Sequence, residues 1–323
     1  MPEAGRPLRL GIVGCGRLAE AGYVPAARIA GLRVAALADP DPERRAALVA
    51  VCDAASPPAT FTDVDELLAE GGVDAVVVAS PPERHEDAAT ACARAGIPAL
   101  VEKPPAPDAA GAERIAALAP APWIGFNRRF SLGRGVAGVL PQGGAIDLEL
   151  RYRRFSWAPV SVRDPALTDL APHLVDLALV AGIGAPRRVR AQSSRPERIT
   201  IELTGERGSA AIRCACDRPH RERLEVRDGA GRRVRSRRLG GTVRGALARF
   251  TPGPHPLVAS LAAQVEAFAG AIRGAAPAPD GGEGPDLATA AEGAAVMRVI
   301  AACAQSLALG GAAVEPAEGA GVS

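Results

Sequence analysis

Lysine is almost missing from this chain. Of 38 basic residues among 323, Lys103 is the single lysine and every other is arginine. Together with heavy alanine, glycine and proline usage, this looks like the product of a GC-rich genome. Arginine keeps its proton in proteins, whereas a lysine's pKa falls readily on burial, so the two are not equivalent where a proton must move. A lysine that survives such replacement is a candidate for chemistry. Composition alone leaves chance retention at a neutral surface position equally open.

Other absences narrow the field. The six cysteines (Cys15, Cys52, Cys92, Cys214, Cys216, Cys303) form no Cys-x-x-Cys pair and have no histidine at ligand spacing, which argues against a metal site or a disulfide framework. Cys214 and Cys216 would share one face of a strand, as packing residues do. No run approaches the roughly 18 apolar residues that a membrane span needs, and Met1 to Arg9 has no apolar signal region, so the expectation is a cytoplasmic protein without membrane contact. A net charge of +2 gives no nucleic-acid signal. There is no internal repeat. What remains is an ordinary globular composition, 48% hydrophobic and 23% charged, in a chain long enough for two domains.

The N-terminal pattern is specific. Leu8 to Val13 is an apolar run followed by Gly14-Cys15-Gly16-Arg17-Leu18-Ala19 and a helical stretch, which reads as strand, tight turn and helix. Gly14 permits the turn, Gly16 lets the backbone approach a pyrophosphate at the helix N-terminus, and Ala19 keeps helix and strand close. A second strand, Arg33 to Ala38, ends at Asp39, where an acidic side chain would hold the adenosine ribose hydroxyls and repel the extra phosphate of NADP. NAD is therefore the expected cofactor, with Arg44 and Arg45 placed to moderate the discrimination against NADP.

Further strands over Asp74 to Ala79 and Pro98 to Val101 alternate with helices over Val64 to Glu70, Glu83 to Ala95 and Asp108 to Ala119, before a last strand, Trp123 to Phe126. This alternation implies a doubly wound parallel sheet of the Rossmann type over residues 1–126. Beyond it, alternating segments over Ala145 to Arg154, Arg187 to Ser193, Arg198 to Leu203, Ser209 to Cys216 and Arg223 to Arg227 predict a mostly antiparallel, open-faced sheet. Helices are expected over Asp169 to Val180, Leu257 to Ile272 and Asp286 to Leu307, with a loop over Ala275 to Pro285. The domain reading is thus α/β throughout: 1–126 for the dinucleotide, 127–309 for substrate and oligomerisation, and 310–323 as a disordered tail. An uncovered sheet face leads us to expect a homodimer or homotetramer.

The motifs Leu10-Gly11-Ile12-Val13-Gly14-Cys15-Gly16-Arg17-Leu18-Ala19, Ala79-Ser80-Pro81-Pro82-Glu83-Arg84-His85, Glu102-Lys103-Pro104, Gly125-Phe126-Asn127-Arg128-Arg129-Phe130 and Asp169-Leu170-Ala171-Pro172-His173-Leu174-Val175-Asp176 occur in that order. In this the chain resembles the glucose-fructose oxidoreductase / inositol dehydrogenase group, Gfo/Idh/MocA, from about Leu8 to Leu307. The resemblance implies a nucleotide-binding domain plus a substrate domain, with chemistry in the cleft between them. It also implies a catalytic set of Lys103, Asp169 and His173. Two departures, Arg163 to Thr168 in place of a glycine-rich approach and Ala171-Pro172 in place of a glycine-containing pair, bear on the shape of the substrate pocket. Cofactor contacts are expected from Gly14, Gly16, Arg17, Leu18, Asp39, Ser80, Pro81, His85, Glu102 and Lys103, and weaker substrate contacts from Asn127, Arg128 and Arg154.

Against each functional assignment stands a plainer one. Asp169 sits where a helix cap belongs, His173 is spaced to bond Asp176, and His85 fits a packing role at a helix start. The function expected is an NAD(P)-dependent dehydrogenase or ketoreductase. It would interconvert a secondary hydroxyl and a ketone on a small-molecule sugar, aminosugar, cyclitol or nucleotide sugar, in aminoglycoside or deoxysugar biosynthesis. An NAD-retaining glycoside hydrolase and a non-catalytic nucleotide sensor are the alternatives.

Overall fold

The computed structural model describes residues 6–153, 165–240, 255–274 and 287–318. The chain divides into two compact units, one of Met1–Phe130 with Pro254–Ala294 and one of Ser131–Gly253 with Ala295–Ser323.

The first unit is built on β1 (Arg9–Val13), β2 (Arg33–Ala38), β3 (Ala59–Phe61), β4 (Ala75–Val78), β5 (Ala99–Glu102) and β6 (Trp123–Gly125). They line up as β6-β5-β4-β1-β2-β3, all parallel, and the short segment Ala288–Thr289 adds an antiparallel edge beside β6. Helices cover both faces of such a sheet, so its central strands are apolar without alternation, and Val76, Val77 and Val78 of β4 are fully buried. The connecting helices are α1 (Val24–Ile29), α2 (Pro42–Val51), α3 (Val64–Glu70), α4 (His85–Arg94) and α5 (Ala109–Ala116). Three of them start in the same way: the carboxylates of Asp41, Asp63 and Asp108 accept first-turn backbone N–H groups that would otherwise lack partners.

One long helix departs from the sequence reading. Pro256–Ile272, assigned above to the second domain, belongs to the first unit. Its Leu261, Val265 and Phe268 join Tyr23, Ala27 and Leu37 in one core, and Phe268 meets Trp123 edge-on at 5.5 Å. Order along the chain does not say which core an apolar face will enter, so a single boundary at residue 127 was the wrong picture. The expected loop from Ala275 to Pro285 lies outside the described residues.

The start of the chain is tied to β4 by Asp74, whose carboxylate accepts both terminal nitrogens of Arg6 (3.1 and 2.9 Å) and the backbone N–H of Arg9 (2.8 Å). Burial pushes this carboxyl up, but hydrogen bonds from the Arg9 side chain and backbone and from Arg6 outweigh it and hold the pKa below its ordinary value. A depressed folded pKa gives stability that is present above the unfolded value and lost as pH falls through the folded one. Asp74→Ala is therefore expected to destabilise the protein by about 1–3 kcal/mol at pH 7, with the gap from the wild type closing below about pH 4. Urea melts of both proteins at the two pH values check this.

The second unit carries β7 (Gly144–Arg153), β8 (Pro186–Arg195), β9 (Arg198–Gly205), β10 (Gly208–Ala215), β11 (Asp217–Arg227) and β12 (Arg233–Gly240), in the order β12-β11-β7-β10-β9-β8. All neighbours are antiparallel except β7 and β10. Ile146, Leu148, Leu150, Ile212, Leu224 and Val226 are buried on one face. Two helices follow β7, α6 (Ala166–Asp169) and α7 (Ala171–Ala181), and α7 packs on β7 and β10. The opposite face is a mesh of ion pairs in which Glu149 meets Arg151 and Arg221 (3.2 and 3.4 Å), and Glu225 meets Arg223 (2.6 Å) and Arg227. The partly exposed Glu149 pairs contribute about 0–1 kcal/mol each, while Glu225 is buried beneath its two arginines. The uncovered face behind the oligomer expectation is therefore charged, not apolar.

β12 was not anticipated, because its arginines sit on both sides of the strand and erase the period-two signal, as suits a sheet edge guarded by charge. The tail was expected to be disordered from Gly310. Through Glu318 it has a defined course: Val314 and Val189 exchange two backbone hydrogen bonds of 2.8 Å, and the Ser306 hydroxyl donates to the Ala312 carbonyl. Residues 319–323 lie outside the described ones. Among the described residues no helix is long and apolar enough to cross a membrane, and no cluster of His, Cys, Asp and Glu could hold a metal.

Candidate active site

Most of the sequence-predicted cofactor residues fall on one edge of the first unit's sheet. Gly14 follows β1, Asp39 follows β2, Ser80 follows β4 and Lys103 follows β5, so all stand at the carboxyl ends of parallel strands, where open α/β sheets take their ligands. Gly14 has φ +96°, and its N–H donates to the Ala38 carbonyl (2.8 Å), drawing the turn against β2. A side-chain carbon on Gly16 would meet no protein atom within 4 Å, which leaves open room beside the turn. Arg17 is exposed and Leu18 half-buried, and Ala19–Tyr23 then winds as a π-helix into α1.

Asp39 is 6% exposed. One oxygen accepts the Cys15 N–H (2.8 Å) and the other the Asp41 N–H (2.9 Å), and Arg45 donates to its backbone carbonyl. A carboxylate offers about four acceptor sites, so these bonds orient it and leave capacity for hydroxyl groups. A glycine turn with room beside it, and an oriented acid at the end of the next strand, fit a dinucleotide.

Around Lys103 the sequence reading lacked one member. The Tyr23 hydroxyl donates to Glu102 Oε1 (2.5 Å) and the Lys103 N–H to Glu102 Oε2 (2.9 Å). Tyr23 is fully buried and Glu102 is 6% exposed, while Lys103 is half-buried. Burial pushes the Glu102 carboxyl above its ordinary pKa, opposed by the Tyr23 bond and the charge of Lys103. Burial, and then the Glu102 charge, push the Tyr23 phenol well up. The close approach of β6 needs Gly125, since a side-chain carbon there would lie 3.1 Å from the Glu102 Cα. Tyr23→Phe removes the donor and leaves a buried carboxylate oxygen unsatisfied. The expected loss is about 1–3 kcal/mol of stability at neutral pH, measured by urea melts; an unchanged melt would count against the bond.

His85 is 1% exposed, with Nε2 2.8 Å from the Ser80 carbonyl and Nδ1 3.0 Å from the Pro104 carbonyl. Burial lowers its pKa, against the pull of those carbonyls. A neutral ring has one N–H for two acceptors. The ring thus clamps the loop after β4 to the segment after Lys103, which favours packing over cofactor contact. Pro81 is exposed, and the Ser80 hydroxyl is buried without a partner. Asn127, a weaker substrate candidate, is buried in the first unit and donates to Ser260 (3.2 Å); Arg128 beside it is half-buried. Arg154 lies outside the described residues.

Asp169 and His173 belong to the second unit. Asp169 ends α6, and the cap position of α7 is Leu170, with no side-chain capping bond, so capping does not account for the acid. The Tyr152 hydroxyl donates to Asp169 Oδ2 (2.6 Å), a contact no sequence pattern announced. His173 lies in the first turn of α7 and is 7% exposed; Asp176, one turn on, is 1% exposed. Asp169 and His173 thus lie four residues apart, at the end of α6 and in the first turn of α7.

Residues 8–121 match the model of an oxidoreductase family with an NAD-binding Rossmann fold, GFO_IDH_MocA. No match is found among curated protein sequences. Solved structures resemble the chain over nearly its whole length. The myo-inositol dehydrogenase of Lactobacillus casei, in complex with NAD(H) and myo-inositol, is 18% identical with a TM-score of 0.76, covering 98% of this chain and 99% of its own. The myo-inositol dehydrogenase of Corynebacterium glutamicum is 21% identical with a TM-score of 0.71, covering 97% and 100%. The WlbA dehydrogenase of Bordetella pertussis, in complex with NADH and UDP-GlcNAcA, is 18% identical with a TM-score of 0.73, covering 98% and 100%. At such identities the likeness carries the fold. Over residues 8–121 the chain is similar to the Gfo/Idh/MocA oxidoreductases, a family that binds NAD on a Rossmann fold.

Proposed function

We propose that the protein is an NAD-dependent dehydrogenase or ketoreductase that interconverts a secondary hydroxyl and a ketone on a sugar, aminosugar, cyclitol or nucleotide sugar. The observation that carries this reading is the only lysine of the chain, standing at the carboxyl end of β5 with its backbone held by a buried glutamate. The solved relatives support the substrate class, since one was crystallised with myo-inositol and another with UDP-GlcNAcA. Aminoglycoside or deoxysugar biosynthesis is the setting we assign to it.

NAD, when bound, supplies the hydride acceptor. Gly14, Gly16 and Asp39 would hold it, with the pyrophosphate at the helix N-terminus and the ribose on the acid. The chain's own residues handle the proton. His173 takes it from the substrate hydroxyl as general base, a role that suits an imidazole near neutral pH. Lys103 hydrogen-bonds the same oxygen and steadies the charge that develops there. Asp169 joins this set, and the Tyr152 hydroxyl fixes its carboxylate through one of its oxygens. Glu102 and Tyr23 act behind Lys103 as positioning residues.

A homodimer or homotetramer belongs to the same reading, and light scattering measures it. The substrate reading is tested with a panel of sugars, cyclitols, aminoglycoside fragments and nucleotide sugars, following reduced-nicotinamide absorbance with NAD and NADP in parallel. Turnover of a carbinol with NAD is expected. A strong preference for NADP would overturn the role of Asp39, and silence across the panel would overturn the substrate class.

A further inference from the structure

Several half-buried arginines elsewhere in the described chain meet carboxylates: Arg6 and Arg9 lean on Asp74, Arg198 on Asp217 and Arg223 on Glu225. Three arginines of the second unit gather without one. Arg235 and Arg237 lie on the edge strand β12, opposite Val226 and Leu224, so both point to the buried side of the sheet. There they reach back to the segment after Phe130. Arg237 Nη1 donates to the Ser131 carbonyl (2.6 Å) and Arg235 Nη2 to the Arg134 carbonyl (3.1 Å). The Arg235 guanidinium presses against Gly135, where a side-chain carbon would fall 2.8 Å from it.

Burial, and then the charges of Arg235 and Arg134, lower the pKa of Arg237 from its ordinary value. Among the described residues no carboxylate forms an ion pair with any of the three. Ser131, whose backbone carbonyl Arg237 reaches, also carries a buried hydroxyl with no hydrogen-bond partner. A guanidinium carries five N–H donors, and a single carbonyl uses one. Like charges drawn together out of full solvent repel, and an anion that accepts several charge-assisted bonds at once removes that repulsion.

The geometry points to a binding site for a phosphate-type oxyanion, formed by Arg134, Arg235 and Arg237 with the Ser131 hydroxyl. A phosphate group suits it better than a carboxylate, having more charge and more acceptor oxygens to match three guanidiniums. The group is either inorganic phosphate or the phosphate of a larger ligand such as a nucleotide sugar. The site goes beyond the dehydrogenase reading and does not depend on it.

The test is a thermal melt of the full chain in sodium phosphate against sodium chloride at matched ionic strength, with UDP-glucose titrated by calorimetry. Phosphate at about ten times its Kd is expected to raise the wild-type Tm by about 2–4 °C, and the rise should be absent in Arg237→Gln and reduced in Arg134→Gln. Should Arg237→Gln fail to fold, Arg134→Gln, which alters an exposed side chain, carries the comparison. The glycine turn of the first unit also attracts phosphate. Hence a rise that persists undiminished in the variants, like no rise in the wild type, overturns the proposal. Given an arginine-dependent rise, UDP-glucose bound about ten-fold more weakly by Arg237→Gln marks the anion as part of a larger ligand, and UDP-glucose bound alike by both proteins marks it as inorganic phosphate.

Discussion

Lys103→Arg is expected to lower kcat by about 100- to 10,000-fold, the range that positioned acid–base groups contribute, while the Kd for NAD stays within about three-fold, well under 1 kcal/mol. The substitution keeps the positive charge, so a purely electrostatic role would survive it. It removes a compact donor able to give up its proton and substitutes a planar fork that keeps its own. The backbone N–H that reaches Glu102 is unaltered, so the end of β5 should hold its place. Steady-state kinetics on a substrate found in the panel, with NAD binding followed by fluorescence, separate the two effects. Turnover within two- or three-fold of the wild type would sink the proton-handling role and reduce the lone lysine to an accident of composition.

Gly14→Ala is the second large effect. The residue sits at φ +96°, where a side chain carries strain of about 1–3 kcal/mol. Its new carbon would fall 2.5 Å from the Ser80 N–H nitrogen and 2.7 Å from the Ala79 carbonyl carbon. Both atoms belong to backbone, so no rotamer change relieves the contact, and either the turn after β1 or the loop after β4 must move. The expected result is a Tm lower by several degrees, since about 1 kcal/mol shifts a protein of this size by roughly 2–4 °C, together with NAD affinity weakened at least ten-fold. Gly16→Ala is the informative partner. A carbon there meets no protein atom, so the melt of the cofactor-free protein should be unchanged while NAD binding weakens, because the carbon would occupy the room beside the turn. If Gly16→Ala binds NAD as the wild type does, the pyrophosphate lies elsewhere.

The cofactor half of the candidate site was legible as a pattern because its signals are local. A glycine turn between an apolar strand and a helix, an acid at the end of the next strand, and strands alternating with helices each declare themselves within a few residues. The second unit's strands were legible where one face is apolar, as from Ile146 to Leu150. They were hidden where charge occupies both sides, as in β12. Asp169 and His173 could be singled out by spacing and by likeness, but spacing alone allowed a helix cap, and only the placement of Leu170 at the cap removed that explanation.

The sequence by itself determined the nucleotide-binding architecture, the parallel order of its strands and the isolation of Lys103 among arginines. Those follow from periodicity, turn chemistry and composition, which need no partner from elsewhere in the chain. Only the tertiary structure decided that Tyr23 holds Glu102 across 79 residues, that Pro256–Ile272 returns to the first core, and that Arg235 and Arg237 reach segments 101 and 106 residues away. The reason is physical. Such contacts arise where buried groups must find donors, acceptors or apolar neighbours in a packed interior, and the partner is whichever residue the fold delivers there.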